Sequence, residues 1–353
     1  MSAVTRTGKT PERLTSIDLF AGAGGLSTGL RAANFDVLGA VEIDPTAAAT
    51  YRLNHPKAAV ITADIRTLTG PKILNTLNLV RGELDLLSGC PPCQGFSELR
   101  TRRRTSPSRD ERNDLLFEVL RLTRSMRPRA LIVENVPGLA RDERLARFST
   151  GLSACGYNSD FAIVDARGFG VPQRRKRLVF IAIRADTIPD DWSRPTHTAH
   201  CTVRDAIGSL PAAGNSGDIL HDLPENRSSQ VMARIRATPK DGGSRKDLPE
   251  RMACPCHRKS DGYSDVYGRM SWDQVSPTIT SGCSNPSRGR FLHPHEDRAI
   301  TLREAALLQT FPPEYRFSLS RGKEHAARQI GNAFPPRLIE PIARRLHRKL
   351  RTR

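Results

Sequence analysis

Two short strings carry groups that could do covalent chemistry: Gly89-Cys90-Pro91-Pro92-Cys93-Gln94-Gly95-Phe96-Ser97 and, further on, Val133-Glu134-Asn135-Val136. Each follows an apolar run of the kind that forms a buried strand. A tight Pro-Pro turn would expose the Cys93 thiol at one strand end and place Glu134 at another. A thiolate can attack an electron-poor ring while a carboxylic acid in the same pocket protonates it. An ordinary thiol, with a pKa of about 8.5, is only slightly ionised at neutral pH, so such a site should also supply cationic or dipolar help. Cys90 and Cys93 share the Cys-x-x-Cys spacing of a redox pair, but no active-site helix pattern follows them.

A third string, Ile17-Asp18-Leu19-Phe20-Ala21-Gly22-Ala23-Gly24-Gly25-Leu26, runs from a short apolar strand through small residues into a helix. Glycines let the backbone approach a ligand closely, and the helix start offers free N–H groups. Glu42 follows about 20 residues after this loop, the spacing at which an acid can bond ribose hydroxyls. Asp64, after a further strand, could read an adenine edge. The loop reads Gly-x-Gly-Gly rather than Gly-x-Gly-x-x-Gly, which disfavours a dinucleotide and leaves a smaller nucleotide-like cofactor.

These groups need a scaffold. Apolar runs at 16–20, 37–42, 59–62, 84–88, 130–134, 161–165 and 178–183 alternate with amphipathic stretches, the pattern of an α/β fold with a doubly wound, mostly parallel sheet. The candidate ligand groups follow the C-terminal ends of several of these strands, where open α/β sheets bind ligands. From about residue 185 to 295 Pro, Gly, Ser, His and charged residues dominate, which predicts a smaller irregular domain or long loops. Order returns with Thr301-Leu302-Arg303-Glu304, a capping-box start to a helix.

The chain has 353 residues, more than one core usually serves, and a net charge of +18 spread along its length. Such a field attracts polyanions, nucleic acid first among them. Seven cysteines in no regular framework argue against a disulfide-stapled secreted protein. With no apolar run long enough to span a bilayer and no signal-like N-terminus, a cytoplasmic protein without a membrane role is expected. Cys254-Pro255-Cys256-His257 brings three metal-ligand types together, but the usual pair spacing and a second pair are missing, so no metal is expected.

Taken in order, the strings resemble the C5-cytosine DNA methyltransferase family over nearly the whole chain. Asp18 to Gly25 resembles its first cofactor motif, Pro92-Cys93-Gln94 its nucleophile motif, and Glu134-Asn135-Val136 its acid motif. Gln173-Arg174-Arg175-Lys176-Arg177 resembles its Gln-x-Arg-x-Arg motif, and Gln329-Ile330-Gly331-Asn332-Ala333-Phe334-Pro335-Pro336 its closing motif. The resemblance implies a Rossmann-like methyltransferase with S-adenosylmethionine as methyl donor. It implies Cys93 as nucleophile toward C6 of a flipped cytosine, Glu134 as the acid at N3, and Arg175 and Arg177 as groups on the base and its developing charge. Phe20, Gly22, Gly24, Gly25, Glu42, Ile43, Asp64, Ile65, Pro92, Asn332 and Ala333 would form the cofactor pocket. Arg102, Arg103 and Arg104, in a basic loop, and Gln173 would meet DNA. The catalytic domain would comprise 15–185 with 325–353, behind a flexible tail at 1–14, and residues 186–324 would form the target-recognition domain. Family resemblance also suggests a monomer acting on double-stranded DNA, in a restriction-modification or marking role, with a cognate restriction endonuclease as a separate partner. The same chemistry on transfer RNA, and a catalytically silent DNA-binding protein on this fold, are the alternatives.

Overall fold

A computed structural model describes residues 13–92, 114–253 and 265–352. Cys93, Arg102, Arg103, Arg104, Cys254, Cys256 and His257 lie outside the described residues. The chain begins with β1 (Thr15–Leu19), α1 (Gly25–Ala32), β2 (Asp36–Glu42), α2 (Pro45–Asn54), β3 (Ala59–Thr62) and α3 (Gly70–Thr76). It continues through β4 (Leu86–Gly89), α4 (Leu115–Met126), β5 (Ala130–Asn135), α5 (Glu143–Ser153), β6 (Tyr157–Asp165) and β7 (Lys176–Arg184).

The strands form one sheet in the order β3-β2-β1-β4-β5-β7-β6. The first five run parallel, and β7 is antiparallel to both β5 and β6. Strands β4 and β5 are buried almost throughout because helices cover both faces of the sheet. One layer packs α1 and the last helix against Leu86, Ile132, Val179 and Ile181. The opposite layer packs α3, α4 and α5 against Ile17, Leu87, Leu131 and Phe180. The winding reverses between β1 and β4, so the carboxyl ends of these two strands flank the crevice where such sheets bind ligands.

Two expected strands were displaced. Leu84 and Asp85 precede β4 because the Asp85 carboxylate is tied to the Thr15 N–H at 2.8 Å. Strand β6 starts earlier, at Tyr157, and its polar residues 158–160 gave no apolar signal because β6 is an edge strand with one partner.

Beyond the sheet lie α6 (Val203–Ile207), α7 (Ile219–Asp222), α8 (Ser229–Ala237), α9 (Leu302–Leu308), α10 (Gly322–Asn332) and α11 (Pro336–Arg351). Helix α9 has the expected capping box, with the Thr301 hydroxyl and the Glu304 carboxylate each accepting from the other's backbone N–H. Helix α11 returns to the sheet and buries Leu338, Ile339, Ile342, Leu346 and Leu350 along one face. The irregular region is held partly by Arg269, which is fully buried. Its Nε and two amino groups donate to the carbonyls of Thr238, His293, Glu296 and Ile235 and to the Asp297 carboxylate. Loops without strands leave buried carbonyls that need donors, and one guanidinium supplies five. Among the described residues no helix is long and apolar enough to cross a membrane.

Candidate active site

The loop between β1 and α1 is shaped by three neighbours. Gly24 has φ +93°, and a Cβ there would lie 2.6 Å from His55 Nε2 and 2.8 Å from the Tyr315 hydroxyl, so both backbone and space require glycine. A Cβ on Gly25 would lie 2.4 Å from the Phe334 carbonyl, which brings the closing motif directly against this loop. Tyr315 donates from its hydroxyl to the Ala23 carbonyl at 2.5 Å. On the third side, Glu42 at the end of β2 accepts from the Gly22 N–H and the Asp44 N–H, each at 2.7 Å. Beneath the loop Asp18 is fully buried. Its Oδ2 accepts from the Ser27 hydroxyl at 2.6 Å, while Oδ1 has no hydrogen-bond partner among the described residues. Burial pushes its carboxyl up to about 7, and the nearby Glu42 charge adds to the rise.

This cradle fits S-adenosylmethionine. Glu42 is fixed by backbone donors yet keeps lone pairs for ribose hydroxyls, and a Cβ on Gly22 would meet nothing within 4 Å. Ile43, next to Glu42, is 63% exposed, an apolar surface suited to an adenine face. Phe20 is half-buried at the end of β1. Ile65 packs with Leu68 and Ile73 in the core, where the helical turn that starts there directs it. Asp64 caps that turn and is held by Arg66 at 2.6 Å.

Across the crevice, Glu134 ends β5 and pairs with Arg177 Nε at 2.7 Å. Antiparallel pairing of Glu134 with Val179 and of Asn135 with Leu178 sets Arg177 beside the acid. Asn135 turns the other way: its Nδ2 donates to the Pro91 carbonyl at 3.2 Å, and its Oδ1 accepts from the Val136 N–H at 2.8 Å. The acid motif thereby holds the loop two residues before Cys93. Pro92, half-buried, is the last described residue of that loop. Cys90 packs against the core, and burial, with Glu134 and Asp18 adding, pushes its thiol well up. It is a packing residue that does not ionise readily.

The profile of the C-5 cytosine-specific DNA methylases matches residues 14–348. The chain belongs to this family. It is 39% identical to the type II methylase M.HgiDII of Herpetosiphon aurantiacus, covering 95% of each chain. It is 37% identical to the type II methyltransferase M1.HphI of Haemophilus parahaemolyticus, covering 94% of this chain and 86% of that one. Among solved structures it resembles a candidate DNA modification methyltransferase encoded within an E. coli prophage, with TM-score 0.74, 28% identity, and coverage of 96% and 100%. The protein is therefore an S-adenosylmethionine-dependent DNA (cytosine-5) methyltransferase that works through a covalent cysteine adduct.

Within this methyltransferase the Gln-x-Arg-x-Arg motif divides its labour. Gln173, expected to meet DNA, has no exposed surface. Its Nε2 donates to the Leu308 carbonyl and to Gln309 Oε1, and its Oε1 accepts from the Ile279 N–H. Arg175, expected on the base, is 2% exposed and donates to the carbonyls of Ile279, Gly331 and Ala333 at 2.9 to 3.2 Å. Both side chains tie the irregular region and the closing motif to the sheet, because the carbonyls buried at that junction need donors, while the buried Arg175 Nε has no hydrogen-bond partner among the described residues. Only Arg177 reaches Glu134. Asn332 ends α10, and Ala333 is held at this junction through its carbonyl. The sequence reading missed Gln309, Tyr315 and His55, which complete these contacts. The signal for Gln309 was a lone amide after the apolar turn Ala305-Ala306-Leu307-Leu308.

Proposed function

We propose that Cys93 attacks C6 of a flipped cytosine while Glu134, oriented by Arg177, holds or donates the proton at N3. Addition at C6 and protonation at N3 turn the ring into an enamine that is nucleophilic at C5. When bound in the Glu42 cradle, S-adenosylmethionine supplies the electrophilic methyl group. Loss of the C5 proton and expulsion of the Cys93 thiolate then restore the aromatic ring. Arg177 keeps the Glu134 carboxyl turned toward one position and balances charge at the site. The observation that carries this reading is the Glu134–Arg177 pair on the same short segment whose Asn135 holds the loop before Cys93.

Residues 186–324 would select the DNA sequence, and Arg102, Arg103 and Arg104 would meet phosphates as the base leaves the stack, at a cost of about a few kcal/mol. The type II names of the similar proteins support a restriction-modification role with a separate endonuclease. A monomer in the cytoplasm suffices for that chemistry. The test is transfer of labelled methyl to unmethylated duplex DNA and, in parallel, to transfer RNA, with Cys93→Ser as control. Label recovered as 5-methylcytosine in DNA only, and absent in the control, supports the reading; label in RNA alone overturns the DNA assignment.

A further inference from the structure

Helices α1 and α11 run side by side away from the glycine loop. Phe334, just before α11, meets Gly25 at one end, and His347 meets the Phe35 ring edge-on at 5.2 Å at the other. The far end of the pair, beside the start of β2, therefore lies at the edge of the sheet opposite the catalytic crevice. A cleft of about 450 Å³ opens there, lined by Asn34, Thr196, Arg344, His347, Arg348 and Arg351 among others.

Its charge is compensated only in part. Arg344 pairs with Glu340 at 2.8 Å and Arg345 with Asp191 at 3.5 Å, but neither the Arg348 nor the Arg351 guanidinium forms a hydrogen bond or ion pair among the described residues. His347 is 7% exposed and its Nε2 has no hydrogen-bond partner. Burial, with Arg351 and Arg344 on the same helix and against an opposing pull from Asp85, holds this imidazole below its ordinary range, so the arginines carry the positive charge of the cleft. Two guanidinium groups in a concave wall, with no acceptor among the described residues, are charged donors lacking a partner.

We propose that this cleft is a second contact for the sugar-phosphate backbone of DNA, separate from the catalytic face, which tethers the enzyme to DNA outside its target site. The inference rests on DNA being the substrate. Guanidinium groups bond phosphate oxygens bidentately, and the net charge of +18 already favours a polyanion over an acidic peptide segment. The last turn of α11 would carry basic residues for its helix dipole alone, which is the outcome to be separated by experiment.

The test measures affinity of the full-length protein for long, non-target duplex DNA across a salt series, using Arg348→Gln/Arg351→Gln and, separately, Asn34→Asp. Asn34 has φ +74°, which aspartate also tolerates, so the second variant brings a negative charge into the cleft without altering the backbone. The double variant should bind on the order of tenfold more weakly at physiological salt, with the slope of log affinity against log salt shallower by about 2. Asn34→Asp should weaken binding in the same direction. Cofactor affinity and methyl transfer to short duplexes should stay unchanged. Unaltered DNA affinity and slope in both variants, or a lowered Tm as the only effect, would overturn the proposal. The affinity measurement needs no methyl transfer, so it succeeds or fails independently of the catalytic assignment.

Discussion

Arg177 and Glu134 face each other at 2.7 Å from antiparallel neighbours, β7 and β5, so the register of two buried strands fixes the acid's orientation. Replacing Arg177 by alanine removes that partner without disturbing the sheet. The variant should lose about 10²–10³-fold in kcat, the usual cost of deleting a group that stabilises developing charge, while cofactor affinity is retained. Steady-state and single-turnover kinetics beside calorimetric cofactor binding would check this. A variant that loses cofactor affinity and keeps kcat would place Arg177 elsewhere in the cycle.

Arg175 should behave in the opposite way. Arg175→Met leaves the carbonyls of Ile279, Gly331 and Ala333 buried without their donor, which should lower unfolding stability by roughly 3 kcal/mol or more. Urea unfolding and kcat of the Arg175→Met and Arg177→Ala proteins, measured side by side, separate a loss of stability from a loss of catalysis.

The buried Asp18 makes a pH prediction. Its folded carboxyl is raised to about 7, against about 3.9 in an unfolded chain. Between those values the folded protein keeps a proton that the unfolded chain has lost, so this group's contribution is full below pH 4 and falls as pH rises to about 7. The loss amounts to at most on the order of 4 kcal/mol. Asp18→Asn should flatten the decline in stability between about pH 4 and 7, measured by urea unfolding without cofactor. An identical pH slope in both proteins would show that Asp18 is ionised throughout.

Gly25 sets the contact between the cofactor loop and the closing motif. Gly25→Ala places a methyl 2.4 Å from the Phe334 carbonyl, which must move. A loss of roughly 1–3 kcal/mol in stability is expected from such overpacking, together with weaker cofactor binding as the loop shifts. Thermal unfolding and calorimetry read both effects, and unchanged values for both would mean that the loop is not held there.

The parts of this molecule most legible in the sequence were those with a repeating local signal. Strands β2, β3 and β5 announced themselves as apolar runs, and α9 by Thr301 and Glu304 at capping-box spacing. Glu42 was legible because its distance along the chain from the glycine loop matches one strand–helix–strand unit. What stayed hidden depends on contacts distant in sequence. Gln173 and Arg175 sit in a basic run that reads as solvent-exposed, and their burial follows from carbonyls more than a hundred residues away. Arg269 lies among polar loop residues and gives no sign that five donors would be used inside a small core. The difference between Ile43 and Ile65, both next to an acid, is set by the turn that follows each strand, which apolar content does not reveal.

The central claim is the covalent bond from Cys93 to the cytosine ring. A duplex library in which cytosine is replaced by 5-fluorocytosine tests it most directly, because fluorine at C5 cannot leave as a proton and the adduct persists. With S-adenosylmethionine present, wild-type protein should form a complex that survives denaturation, with the DNA mapped by peptide mass to Cys93, and Cys93→Ser should form none. An adduct on another residue, or methylation of ordinary DNA by the Cys93→Ser protein, would contradict the account.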